Sequence, residues 1–283
     1  MWNKNPLTFL GCGARYDDAR VVLFGAPFDG TASFRPGARF ACACMRQDSV
    51  GLETYSPYQD KDLCDIAVFD GGDLELPFGD PLVALGPIER AAAGIINDGK
   101  IPCMIGGEHL VTLGAVRAAA AKHPDLHLIH LDAHTDLRDD YLGEHLSHAT
   151  VIRRVWDLLG DGRIYQFGIR SGEKHEFEFA REHTMPRLFD LAGMDALPHT
   201  LRGRPVYLSV DLDVLDPGVF PGTGTPEPGG VSFGDLLRGL LSLKGLDIVA
   251  CDLTELTPHY DHSGASTAAA CKVLRELLLL IGG

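Results

Sequence analysis

Leu126-His127-Leu128-Ile129-His130-Leu131 is an apolar run of strand length that opens directly onto Asp132-Ala133-His134-Thr135-Asp136. A run apolar on consecutive positions reads as a strand buried on both faces. In the extended chain beyond it, residues two apart project to one side, so Asp132, His134 and Asp136 can face a common point. The layout occurs twice more. Ile101–Ile105 leads into Gly106-Gly107-Glu108-His109, and Val206–Val210 leads into Asp211-Leu212-Asp213. Three strand ends thus carry His109, Asp132, His134, Asp136, Asp211 and Asp213: four carboxylates and two imidazoles.

Outward from these motifs, Val21–Phe24, Ile66–Phe69, Ile164–Phe167 and Ile248–Leu253 also read as strands. Between the strands, Pro81–Asn97, Leu110–Lys122, Thr150–Leu159, Lys174–His183, Phe233–Leu243 and Thr267–Leu280 carry apolar residues at helical spacing. Asp98-Gly99 and Gly160-Asp161-Gly162 are stop signals after helices. Such alternation predicts a single α/β domain over 1–283, a three-layer α/β/α arrangement around a mostly parallel central sheet. In sheets of this kind ligands bind at the carboxyl ends of strands, which is where the six side chains fall. The Gly/Pro-rich stretch 217–230 reads as a rigid site loop, because it joins a metal-seeking strand end to a helix.

Composition narrows the function. The chain has 283 residues, 45% of them hydrophobic, and a formal net charge of −14. That charge argues against nucleic acid or an anionic membrane as partner, since both recruit Lys and Arg. It suits a small cationic substrate. The seven cysteines are scattered without a CxxC pair, which points to the reducing cytoplasm. The N-terminal residues lack the apolar core of a signal peptide, and no apolar run reaches the length of a membrane span.

Asp is a common turn former at strand ends, so either Asp-rich motif alone has a bland reading. The pair does not: packing several carboxylates into one cleft without cations costs several kcal/mol in repulsion and desolvation. Four carboxylates and two neutral imidazoles balance two divalent cations almost fully. An oxygen-rich, thiol-free set suits Mn²⁺ better than structural zinc, although Fe²⁺, Co²⁺, Ni²⁺ or Zn²⁺ could replace it.

These blocks resemble the ureohydrolase family, which includes arginase, agmatinase and related guanidino-acid hydrolases. The likeness begins at Gly25-Ala26-Pro27-Phe28-Asp29 and Arg35-Pro36-Gly37-Ala38-Arg39. It runs through the two motifs at 106–109 and 132–136, then Ser209 to Pro217 and Pro221 to Gly230, and closes at Thr254-Glu255-Leu256-Thr257-Pro258. Asp136-Leu137-Arg138 and Tyr260-Asp261-His262-Ser263 resemble the bacterial agmatinase branch, which hydrolyses agmatine to putrescine and urea.

The resemblance implies that His109, Asp132, Asp136 and Asp211 hold one Mn²⁺, and Asp132, His134, Asp211 and Asp213 a second. Glu255 matches the acid that binds the guanidinium, and His148 the histidine associated with proton transfer; Asp136 is the other candidate proton carrier. His145 is a rival to His148, and Ser147 could instead cap a helix with His148 in its first turn. For the substrate tail, acidic Asp139 and Asp140 suit a terminal ammonium, whereas Arg138 could pair with a carboxylate. Guanidinobutyrate, guanidinopropionate, aminopropyl-agmatine and arginine therefore stand as alternative substrates. Glu108 reads as a supporting residue, and His130 as a buried core histidine or a support for the site. The family also implies a homo-oligomer, trimer or hexamer.

Overall fold

Backbone and side chains are described for residues 7–283 in a computed structural model. In chain order the elements are β1 (Val21–Ala26), α1 (Ala41–Asp48), β2 (Tyr55–Ser56), β3 (Lys61–Asp62), β4 (Val68–Asp73), α2 (Pro81–Asn97) and β5 (Ile101–Gly106). Then come α3 (Thr112–Lys122), β6 (His127–Leu131), α4 (Val151–Leu159), β7 (Ile164–Ile169), α5 (Lys174–His183), β8 (Met185–Leu188) and α6 (Leu197–Thr200). The chain closes with β9 (Pro205–Asp211), α7 (Phe233–Ser242), β10 (Asp247–Thr254) and α8 (Ala265–Gly282).

Eight strands form one sheet in the order β4-β1-β5-β10-β9-β6-β7-β8, and every neighbouring pair is parallel. The separate β2–β3 pair is antiparallel. Alternate strand side chains supply two cores, one on each face. Val21, Leu23, Leu208 and Leu253 join Met45, Leu236, Leu240 and Leu274 beneath α1, α7 and α8. Val22, Phe24, Met104 and Leu128 join Ile88, Leu113, Val155 and Ala180 beneath α2 to α5. Each such Leu, Ile or Val, removed fully from water, contributes about 1.5–3 kcal/mol. The expected three-layer architecture is present.

Differences lie at the margins. α1, α6, the β2–β3 pair and β8 escape the apolar pattern; β8 reads Met-Pro-Arg-Leu and sits on a sheet edge, where Pro is tolerated. β4 begins two residues later than expected and continues through Asp70 to Asp73. Its acidic end is polar yet sheltered, because the fully buried Arg46 guanidinium pairs with Asp70 at 2.8 Å and also with Asp73. Among the described residues no helix is long and apolar enough to cross a membrane.

The sheet order fixes the site. β5, β10, β9 and β6 are four consecutive central strands, and their carboxyl ends bear His109, Glu255, Asp211 and Asp132 respectively. Neighbouring strands stand roughly 4.8 Å apart, so side chains from all four ends reach one place.

Candidate metal centre

His109 Nδ1 lies 3.1 Å from Asp132 Oδ2, 2.9 Å from Asp136 Oδ2 and 3.4 Å from Asp211 Oδ2. A second cluster adjoins it: His134 Nδ1 lies 3.4 Å from Asp132 Oδ1 and 3.0 Å from Asp213 Oδ2. Asp132 therefore offers one oxygen to each cluster. All six side chains predicted from sequence meet here, and all but His134 are buried.

The local backbone explains the aim of each group. Beyond β5 the chain passes so close to the β1 loop that a Cβ on Gly107 would lie 1.9 Å from the Phe28 carbonyl oxygen. Only glycine permits that approach, and the amide of the next residue, Glu108, then donates to the same oxygen at 2.8 Å. Asp136 and Glu255 adopt positive φ, 52° and 64°, where non-glycine residues are uncommon. Such backbone is held by its surroundings. The Glu255 amide donates to the Gly107 carbonyl at 2.9 Å, and its Oε1 accepts the His109 amide at 2.7 Å. Asp211 Oδ1 accepts the Asp213 amide at 2.9 Å, which closes the turn after β9.

Behind these groups lies a layer that sequence reasoning largely missed. His130 is fully buried, with Nε2 2.8 Å from Asp132 Oδ2 and Nδ1 3.1 Å from Gln166 Nε2. His109 Nε2 sits 3.0 Å from Ser209 Oγ, which donates to Asp252 Oδ1 at 2.7 Å, and Tyr207 donates to Asp252 Oδ2 at 2.5 Å. Arg170 donates to the carbonyls of Asp213 and Glu227, both at 2.8 Å, and pins the 217–230 loop against the β9 end. Ser209 and Asp252 do follow strand parity with Asp211 and Thr254, a usable signal. Arg170 carried none.

Crowding perturbs the acids. Burial and the nearby Asp132 push Asp136 up to about 7. Burial, with Asp213 and Asp132 close by, raises Asp211 well above the ordinary carboxylate range, and burial with Glu108 and Asp213 does the same to Glu255. Burial opposes ionisation of Asp132 too, but hydrogen bonds to His109, His130 and His134 outweigh it and hold Asp132 well below. Among the described residues, the basic partners of Asp132, Asp136, Asp211 and Asp213 are histidines alone. Buried carboxylates without Lys or Arg, interleaved with imidazoles, are a donor set that divalent cations fit and that repels itself without them.

The clusters open into a cavity of about 270 Å³ whose wall also includes Glu255, Ser33, His148, Tyr141, Arg138, Glu173 and Glu176. His148 lines the cavity within the turn that Ser147 starts. Burial, then the neighbouring His134, lowers His148 to about 4. Arg138 Nη1 lies 2.8 Å from Glu173 Oε1, and its guanidinium stacks 4.7 Å over the Tyr141 ring. The sequence expectation for Asp139 needs correction. Its carboxylate accepts from Arg154 at 2.5 Å and lies off the cavity wall; Asp140 caps the Gly143 amide at 2.9 Å. His145 also lies off the wall, 2.9 Å from the Asp139 carbonyl oxygen. The acids that line the cavity beside Arg138 are Glu173 and Glu176, which the motifs did not flag.

The chain is 46% identical over 276 residues to an agmatinase of Bacillus anthracis, covering 96% of this chain and 95% of that protein. It is similar to the crystal structure of the agmatine ureohydrolase of Thermoplasma volcanium, with TM-score 0.89 and 36% identity over 98% of this chain and 95% of that one. It is also similar to the proclavaminate amidinohydrolase of Streptomyces clavuligerus, with TM-score 0.90 and 32% identity over 99% of this chain and 98% of that one. The family model described as arginase family matches residues 19–280, and with the two clusters on the central strand ends, the chain belongs to the arginase family.

Proposed function

We propose that the chain is a binuclear-metal hydrolase that cleaves the guanidino group of agmatine to give putrescine and urea. One observation carries the choice of substrate. Among the described residues the cavity wall holds a single arginine, Arg138, already paired with Glu173 at 2.8 Å and 3.5 Å from Glu176. Its charge is spent on two acids, so the wall is left net negative. That favours a tail ending in ammonium over one ending in carboxylate. The similarity to proteins named agmatinase supports the same reading.

In this reading His109, Asp132, Asp136 and Asp211 hold one Mn²⁺, and Asp132, His134, Asp211 and Asp213 the other. When bound, the two cations supply a water whose pKa falls from about 16 toward about 7. Glu255 holds the substrate's guanidinium by charge-assisted hydrogen bonds and presents its carbon to the attacking oxygen. Asp136 accepts the proton released as the new C–O bond forms. The C–N bond to the tail then breaks, and the departing amine receives that proton from Asp136, directly or through His148. Tyr141 and Arg138 narrow the cavity around the methylene chain, and Glu173 faces the terminal ammonium.

The enzyme in this reading works in the cytoplasm as a homo-oligomer, trimer or hexamer, with all seven cysteines unpaired. The test is urea release with Mn²⁺ over agmatine, guanidinobutyrate, guanidinopropionate, aminopropyl-agmatine and arginine. Agmatine should be turned over best. Turnover of guanidinobutyrate equal to or above that of agmatine overturns the assignment.

A further inference from the structure

Thr31 stands in the loop after β1 and touches two other loops at once. Its amide donates to Glu108 Oε2 at 2.8 Å, and its hydroxyl to Glu108 Oε1 at 2.6 Å. Glu108 is buried in the turn after β5, directly before His109. The same Thr31 oxygen accepts the amide of His148 at 3.1 Å and stands 3.4 Å from His148 Nδ1. On the other edge of the ring, Nε2 lies 3.2 Å from Ser33 Oγ. Ser33 belongs to the Thr31 loop and lines the cavity with His148.

We propose that Thr31 is a positioning residue for His148: anchored by Glu108, its hydroxyl sets both the backbone and the ring, so that Nε2 faces the cavity. The inference rests on the reading of His148 as a proton carrier given above. Physical chemistry makes threonine apt for the task. A hydroxyl can donate to a carboxylate while accepting from an N–H, and the β-branch restricts χ1, so the oxygen stays where both partners need it. Without it the ring keeps Ser33 and an edge contact with Tyr141, with centroids 5.8 Å apart. Neither of these fixes Nδ1. A ring free to turn spends less time aligned with the leaving nitrogen, which lowers kcat and leaves substrate binding intact.

The test is a double-mutant cycle on the full enzyme loaded with Mn²⁺. Thr31→Val, which keeps shape and loses the hydroxyl, should lower kcat about ten- to a hundredfold with KM within about twofold. Thr31→Ser should recover most of the loss. In a His148→Gln background, Thr31→Val should add no further loss, because both changes remove one function. A readout independent of turnover is the rate at which diethyl pyrocarbonate modifies His148, followed by mass spectrometry; it should rise in Thr31→Val and return in Thr31→Ser. If His148→Gln retains wild-type kcat, the reading of His148 fails and this inference with it. If His148→Gln is crippled while Thr31→Val is unimpaired, or while the two losses multiply, the role of Thr31 alone is overturned. Should Thr31→Val fail to fold, Thr31→Ala carries the same cycle.

Discussion

Arg138 and Glu173 meet at 2.8 Å on the cavity wall, Nη1 to Oε1, in a pair that is half exposed on the glutamate side. The pair decides which tail charge the cavity receives. Glu173→Gln removes a negative charge and leaves the Arg138 guanidinium with Glu176 alone, at 3.5 Å. KM for agmatine should rise about five- to tenfold, roughly 1 kcal/mol after solvent screening, while guanidinobutyrate improves. Steady-state kinetics on both substrates, at low and high salt, check it; an unchanged preference removes Glu173 from the account.

Metal removal should act on stability as well as on turnover. Dialysis against a chelator should abolish urea release and lower Tm by about 5 °C or more, because ions bound only to the folded state contribute about 2–3 kcal/mol at moderate saturation. Mn²⁺ should restore both. A Tm indifferent to the chelator counts against the two clusters as ion sites, and so does full urea production by a folded Asp213→Ala variant.

Ser209 links His109 to the buried Asp252 carboxylate through contacts of 3.0 and 2.7 Å. Such outer partners fix the ring and keep its ligating nitrogen basic. Ser209→Ala should weaken Mn²⁺ binding about ten- to a hundredfold with little loss of fold. Metal titration by isothermal calorimetry reads this directly; equal affinity in variant and parent rules it out.

Asp261 gives a pH-dependent term to stability. Burial opposes its ionisation, but hydrogen bonds from Ser263 and Ser266 outweigh it and lower the carboxyl to about 2. Ser266 Oγ also accepts the Gly222 amide at 2.9 Å, which ties the 217–230 loop to the start of α8. The folded pKa lies below the unfolded one, so the stabilisation is present in full above about pH 4 and vanishes as pH falls toward 2. Asp261→Asn should cost about 1–2 kcal/mol at pH 7. Denaturant melts at stepped pH should show the gap closing on the acid side; a gap that widens there contradicts the assignment.

Legibility in the sequence followed the physics of each residue. The central strands were plain because both their faces are buried, so apolar residues fill consecutive positions. The metal-seeking side chains were plain because each lies within five residues beyond such a run. Asp139 misled, since proximity in sequence says nothing of direction: the loop turns outward and Arg154 takes the carboxylate. Glu173 stayed hidden because it approaches from the β7–α5 connection, far along the chain. Arg170 and Thr31 act through backbone carbonyls and through other side chains, and such contacts leave no periodic trace.

The left-handed backbone at Asp136 and Glu255 bears on how this protein should be dissected. An alanine at either place removes the carboxylate but keeps a Cβ at φ values of 52° and 64°, whereas a glycine removes the carboxylate and also relieves the backbone, so its effect mixes chemistry with conformational gain. Asparagine is at ease in that region, and glycine more so. Asp136→Asn isolates the loss of charge, and comparing Glu255→Gly with Glu255→Gln separates side chain from main chain. A glycine scan would underrate both positions in stability, and by an amount unrelated to what either carboxylate does to substrate.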